Sequence, residues 1–218
     1  MCRGQKQCSE LGTDIYLWSN KTPLQPPAWV DNEILLFEKA YRLALENNIQ
    51  ESIELLKTIR NTELQNWYIE HGQVSGRFRK KILQINIEKP KDIKLDELRS
   101  PDKYKKEVFK RDNYTCQYCG GKVIPKEIFT QYEKLVGRNN FRATGTNRER
   151  HGIVLMSRAN ADHIIPWAHG GKTNTDNLIT SCWSCNYGKS GFTLEEIGLA
   201  EPRENNYSNK DWGGLLSN

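Results

Sequence analysis

Four cysteines in two matched pairs constrain this chain more than any other feature. They are Cys116-Gln-Tyr-Cys119 and Cys182-Trp-Ser-Cys185. Two residues between thiols let one turn of backbone aim both sulfurs at one ion, and two such turns complete a tetrahedral zinc site. Gly120-Gly121 suits the tight turn of a zinc knuckle. The pairs predict structural zinc, the alternative being unligated or disulfide-bonded thiols. Disulfides belong to oxidising compartments. No apolar run approaches the ~18 residues of a membrane span, and the first residues, MCRGQKQCSE, lack the apolar core of a secretory signal. The expectation is a cytoplasmic protein, away from membranes, with reduced or metal-bound thiols. Cys2 and Cys8 lie in an irregular stretch and read as incidental.

The charge is uneven. The net charge is +5 over 218 residues, but residues 101–192 hold 15 basic against 8 acidic side chains, and residues 193–218 hold 2 against 5. A local basic surplus is what phosphate binding needs, although many soluble domains carry one without a polyanion partner.

Residues 1–30, with Gly4, Gly12, Pro23, Pro26 and Pro27, read as irregular. The spacing of Ile34, Leu35, Phe37, Tyr41 and Leu45 predicts a helix over 31–48, capped by Asp31. A second helix is expected from about Gln50 to Glu70, making an antiparallel hairpin. His71 at its end reads as structural. The alternation of Ile85 and Ile87 suggests a short strand, and Pro90 starts a connector. Ser100-Pro101-Asp102 marks a clean helix start. The expected class is α+β: a mainly helical N-terminal domain over 1–100, separable from a zinc-bound domain over 101–218 with an acidic tail.

Between the cysteine pairs stand Asp162-His163-Ile164-Ile165-Pro166, then Gly170-Gly171 and Asn177-Leu178. Asn186-Tyr187-Gly188-Lys189 follows Cys185. The stretches RDNYTCQYCG and ADHIIPWAHGGKTNTDNLITSCWSCNYGKSG together resemble an HNH nuclease, the ββα-metal fold. The resemblance runs from Arg111 to Gly191, roughly a third of the chain. It implies metal-dependent hydrolysis of DNA phosphodiesters, in a family serving restriction, phage defence, mobile-element homing and phage DNA packaging. It implies His163 as general base, a role that suits an imidazole near neutral pKa. It also implies Asp162 and Asn186 as oxygen ligands to Mg²⁺ or Mn²⁺, and Asn177 as the brace that orients the histidine.

Asparagine at position 186, where the family often has histidine, resembles the subtype seen in the CRISPR effector HNH domain and in a phage junction-resolving endonuclease. Asp162 and His163 are adjacent, so on a regular strand they point to opposite faces. A twist or bulge is expected there. Lys189, one turn beyond Asn186, reads as a phosphate contact or a solvated helix lysine. His169 reads as an exposed loop residue, and His151 is unassigned.

The segment between Cys119 and Asp162 holds 42 residues, more than a minimal core of this kind needs. Its insertion, residues 130–158, carries Arg138, Arg142, Arg148 and Arg150 and reads as a flexible nucleic-acid arm rather than a merely solvated loop. Two rival readings are a non-catalytic zinc-dependent DNA-binding module and a structural zinc protein that recruits other proteins. The presence of Asp162, His163 and Asn186 argues against the first, and the basic surplus against the second. One ββα site cuts one strand, so a double-strand cut would need a homodimer, a protein partner or two nicks.

Overall fold

The computed structural model describes residues 5–88 and 92–216; Cys2 and Pro90 lie outside them. The first long element, α1 (Trp29–Leu45), forms because Val30, Ile34, Phe37, Tyr41 and Ala44 recur on one buried face. It starts two residues before Asp31, which sits in the first turn, where a carboxylate favours the helix dipole, and is not the cap. Asn47, with φ of 65°, ends the turn beyond it.

The single helix expected over Gln50–Glu70 is broken. It divides into α2 (Ile49–Lys57) and α3 (Asn61–Trp67), and a π-helical turn, Tyr68–Gly72, follows α3. The cause is Glu33 of α1. Its buried carboxylate takes the Arg60 backbone N–H at 3.0 Å and the Arg60 guanidinium at 2.8 Å, pulling the chain out of register. Next comes α4 (Ser75–Leu83). Its Arg79 is buried and donates to the carbonyls of Ser19 and Ile197. Ile85 and Ile87 form no strand. Ser100 does cap, accepting from the Asp102 N–H, but the element is a 3-10 turn over Pro101–Lys103 that leads into α5 (Lys105–Arg111).

Beyond the first cysteine pair come α6 (Lys126–Val136) and α7 (Gly152–Ser157). The strands β1 (Ala159–His163) and β2 (Leu178–Cys182) then pair antiparallel, and α8 (Trp183–Lys189) follows β2 directly. This is a ββα unit in an α+β fold.

One core runs across residue 100. Phe37 of α1 packs its ring against Phe129 at 5.2 Å, Tyr132 at 5.1 Å and Phe141 at 5.5 Å. Ile34, Leu64 and Tyr68 share that cluster with Ile153, Leu155 and Trp183. The Trp183 indole N–H donates to the Tyr68 hydroxyl at 2.7 Å. A second, smaller cluster, including Phe109, Tyr118, Ile164 and Ile179, lies around the cysteines. The expected division at residue 100 therefore coincides with no gap in packing. Helices α1 to α3 cover the hydrophobic side of α6 and α7, which would otherwise face water.

Candidate active site and cysteine cluster

The two cysteine pairs meet. The sulfurs of Cys116, Cys119, Cys182 and Cys185 all lie within 4.8 Å of one another, and none forms a disulfide. Cys119 and Cys182 Sγ are 3.9 Å apart, close to the ~3.8 Å edge of a tetrahedron with 2.3 Å zinc–sulfur bonds. The Cys185 N–H donates to Cys182 Sγ at 3.3 Å. Burial works against charge on Cys116, but hydrogen bonds from the other three thiols hold it well below the ordinary thiol range. Hydrogen bonding to Cys116 and Cys182 pushes Cys119 well up, and burial with the same bonding pushes Cys185 well up. Four thiolates at this spacing require a cation, and the donor set and spacing fit zinc.

A cleft of about 270 Å³ lies beside this cluster, where β1 ends under α8. Asp162, His163 and Asn186 all line it. The strand pairing is one to one from Ala159 opposite Cys182 to His163 opposite Leu178, so no bulge intervenes. Both acidic and imidazole side chains reach one cleft because His163 ends the strand. Asp162 is only 8% exposed. Its Oδ2 accepts from the Tyr118 hydroxyl at 2.8 Å and faces Lys189 Nζ at 3.6 Å. Among the described residues, no hydrogen bond reaches Asp162 Oδ1 or the Asn186 side-chain amide. Two uncommitted oxygens on one cleft fit a hard divalent cation. Burial raises the Asp162 carboxyl above its ordinary value, with Lys189 and Tyr118 pulling it back.

His163 is half-buried, and its Nε2 lies 2.9 Å from the Thr173 hydroxyl. Burial lowers its pKa from 6.5, with Asp162 opposing. The loop between the strands is braced by Asn177. Its amide donates to the carbonyls of Ile165 and Lys172, each at 2.9 Å, and its oxygen accepts from the Ile165 N–H. Gly171 is required there, because a Cβ would stand 1.8 Å from the Ile165 oxygen.

Lys189 is placed differently from the expectation. It is fully buried, and its ammonium donates to the His163 carbonyl at 2.8 Å. It lines the floor of the cleft with its ammonium already engaged, and so clamps the end of β1 to α8. His169 is also not exposed, since its side chain is buried 4.0 Å from Glu196. The arginine-rich insertion is not a flexible arm. Phe141 and Ala143 anchor it in the core. Arg142 pairs with Glu149 at 2.8 Å, Arg150 bonds Asn147 and stacks on Trp183, and Arg138 and Arg148 are exposed.

None of those four arginines lines the cleft or its continuation. The basic residues that do are Arg99 and the buried Lys189 in the cleft, and Lys105, Lys126 and Arg158 in an adjoining groove. The two hollows share Pro101, Ala161 and Asn186. Sequence reading missed these residues, together with Tyr118, Thr173 and Asp96. Asp96 accepts the Thr173 N–H at 2.7 Å, and its backbone carbonyl takes the Trp167 indole N–H. Only the position of Tyr118, inside the first CxxC, marked any of them.

Residues 148–191 match the family model described as HNH endonuclease. This segment is similar to HNH endonucleases. The match includes β1, β2 and α8, with Asp162, His163, Asn177 and Asn186, and it begins after the first cysteine pair. Searches of curated proteins and of solved structures find no match to the chain. The match points to a nuclease or DNA-binding role for this segment. No helix among the described residues is long and apolar enough to cross a membrane.

Proposed function

We propose that the chain is a metal-dependent DNA endonuclease that hydrolyses phosphodiester bonds in the cleft of Asp162, His163 and Asn186. The observation that carries this reading is the convergence of three groups on one solvent-open cleft. They are a carboxylate with one oxygen uncommitted, an uncommitted side-chain amide and a half-buried imidazole. A DNA-binding module without catalysis needs none of the three.

His163 acts as the general base. With its Nε2–H donated to Thr173, the lone pair sits on Nδ1, which takes the proton of the attacking water. Its lowered pKa keeps the ring neutral, and so able to accept, at neutral pH. Asp162 and Asn186 would hold Mg²⁺ or Mn²⁺, which supplies charge stabilisation at the phosphate and the departing oxygen. Tyr118 and Lys189 fix the carboxylate by occupying Oδ2. Asn177 and Thr173 orient the imidazole through the loop. The four cysteines would hold structural zinc, which would fix the start of α8 and hence Asn186. The substrate strand follows the joined hollows, with phosphates on Arg99 on one side of the site and on Lys105, Lys126 and Arg158 on the other.

His163→Ala tests the assignment in a plasmid-nicking assay with Mg²⁺ and with EDTA. Loss of a general base costs about 10²–10⁴ in rate. Zinc content and DNA affinity should stay near wild type. Cleavage by the variant at the wild-type rate would show that this site does not perform the reaction.

A further inference from the structure

Away from the HNH cleft, the fold gathers a second set of metal-ligating side chains. Cys8, Glu10 and His71 come from an irregular N-terminal coil and from the π-helical turn after α3. One donor atom from each lies within 4.8 Å of the others. The Cys8 sulfur is 3.7 Å from Glu10 Oε2, against ~3.5 Å for a thiolate and a carboxylate oxygen bound tetrahedrally to one zinc.

The surroundings match those of a built site. The Leu11 N–H donates to Cys8 Sγ at 3.2 Å. This is the same i to i+3 turn that the Cys185 N–H makes to Cys182 Sγ in the four-cysteine cluster. His71 is 7% exposed, and its Nδ1 lies 3.0 Å from the Trp67 carbonyl. Donation from Nδ1–H fixes the tautomer with its lone pair on Nε2, the outer-sphere arrangement that ligating histidines use. The Trp67 ring packs on the imidazole at 5.1 Å and fixes its plane. The coil itself is tightly wound. Gly12 donates its N–H to the Cys8 carbonyl at 2.7 Å, and a Cβ on Gly12 would stand 2.2 Å from that oxygen. Cys8 is therefore presented by an ordered turn.

We infer that Cys8, Glu10 and His71 form a second metal site, taking a zinc-class divalent cation and stapling the N-terminal coil to the end of the π-turn. Sulfur, nitrogen and oxygen donors together suit a borderline ion better than Mg²⁺ or Ca²⁺. Among the described residues this site gathers three donors, including one thiol, against four thiols in the four-cysteine cluster, and is the weaker of the two. The staple secures a segment that matters to the nuclease unit. Downstream in the same segment, Thr22 Oγ1 lies 3.4 Å from Cys185 Sγ, and Asn20 accepts the Ala200 N–H.

The test is metal stoichiometry of the full chain. Wild-type protein should hold two zinc ions after dialysis against zinc-buffered solution, and Cys8→Ser and His71→Ala should each hold one. One zinc in the wild type, or two in both variants, would overturn the inference. If those variants unfold, titration of metal-free wild type with Co²⁺ decides. A second equivalent should bind with a weaker single-thiolate charge-transfer band, and Glu10→Gln should weaken that phase at least tenfold. Saturation at one equivalent, or a second phase unmoved in Glu10→Gln, counts against the site.

Discussion

Phe37→Ala asks whether the N-terminal helices and the HNH domain unfold as one body. Phe37 is fully buried in α1, and three of its ring partners, Phe129, Tyr132 and Phe141, lie beyond residue 100. Truncating a buried phenylalanine costs about 3–5 kcal/mol, from lost transfer free energy plus the cavity left behind. Against a total stability of about 5–15 kcal/mol, that is a large fraction. With a urea m value of about 3 kcal/mol/M, the midpoint should fall by about 1–1.7 M. Two probes report on the two ends of the core. Far-UV circular dichroism follows the helices, and release of zinc to a chromogenic chelator follows the cysteine cluster. A shared core requires both midpoints to fall together. A zinc-release midpoint that stays at the wild-type value while the helical signal shifts would refute the shared core and restore a boundary near residue 100. By the same reasoning, a chain starting near Leu98 exposes Phe129, Tyr132 and Phe141 and should not fold alone.

Other perturbations follow from single contacts. Lys189→Met removes a buried ammonium, leaving the Asp162 carboxylate with the Tyr118 hydroxyl but no countercharge and the His163 carbonyl without its lysine donor; it should cost about 3–5 kcal/mol, and a melting temperature equal to wild type would contradict the clamp. Replacing Lys105 and Lys126 together by Ala should lower the slope of log affinity against log salt by about 2, whereas an unchanged slope would place the DNA elsewhere. His151 is buried, accepts the Ile153 N–H on Nδ1, and burial lowers its pKa to about 4. A depressed folded pKa means that its stabilisation is complete above ~6.5 and is lost as pH falls towards 4, about 2 kcal/mol of it by pH 5. His151→Asn, which can still cap α7, should show a correspondingly smaller drop in urea stability between pH 6.5 and 5, and equal drops would exclude His151 as the cause.

What could be read from the sequence was chemistry fixed by short spacing. Two CxxC pairs determine how many sulfurs one turn can aim at an ion, and the Asp-His pair with Asn177 and Asn186 marks the nuclease motif. Ser100 before a proline announces a cap whatever surrounds it. What could not be read depends on partners distant in the chain. The periodicity of α1 identifies the face that holds Phe37 but not the helix that covers it, and so it does not reveal that the buried cluster runs across residue 100. The spacing of residues 50–70 suits one helix, and only the burial of Glu33 beside Arg60 explains the break.

Charge was the least legible property, because a count along the chain ignores where each side chain ends. Lys189 and Arg79 carry charge yet are buried against carbonyls. Arg142 spends its guanidinium on Glu149. Arg158 stands only eight residues after Arg150, but it immediately precedes β1 and so lines the groove that meets the site at Asn186. Arg138, Arg142, Arg148 and Arg150 are instead carried by a loop anchored through Phe141 in the larger core cluster. Proximity to the first strand of the ββα unit, and not density of arginine in the sequence, therefore selects the cations that line the cleft and its adjoining groove. Arg99 obeys the same rule from the other side, since the connector that holds it is tied through Asp96 to Trp167 and Thr173 of the loop that follows His163.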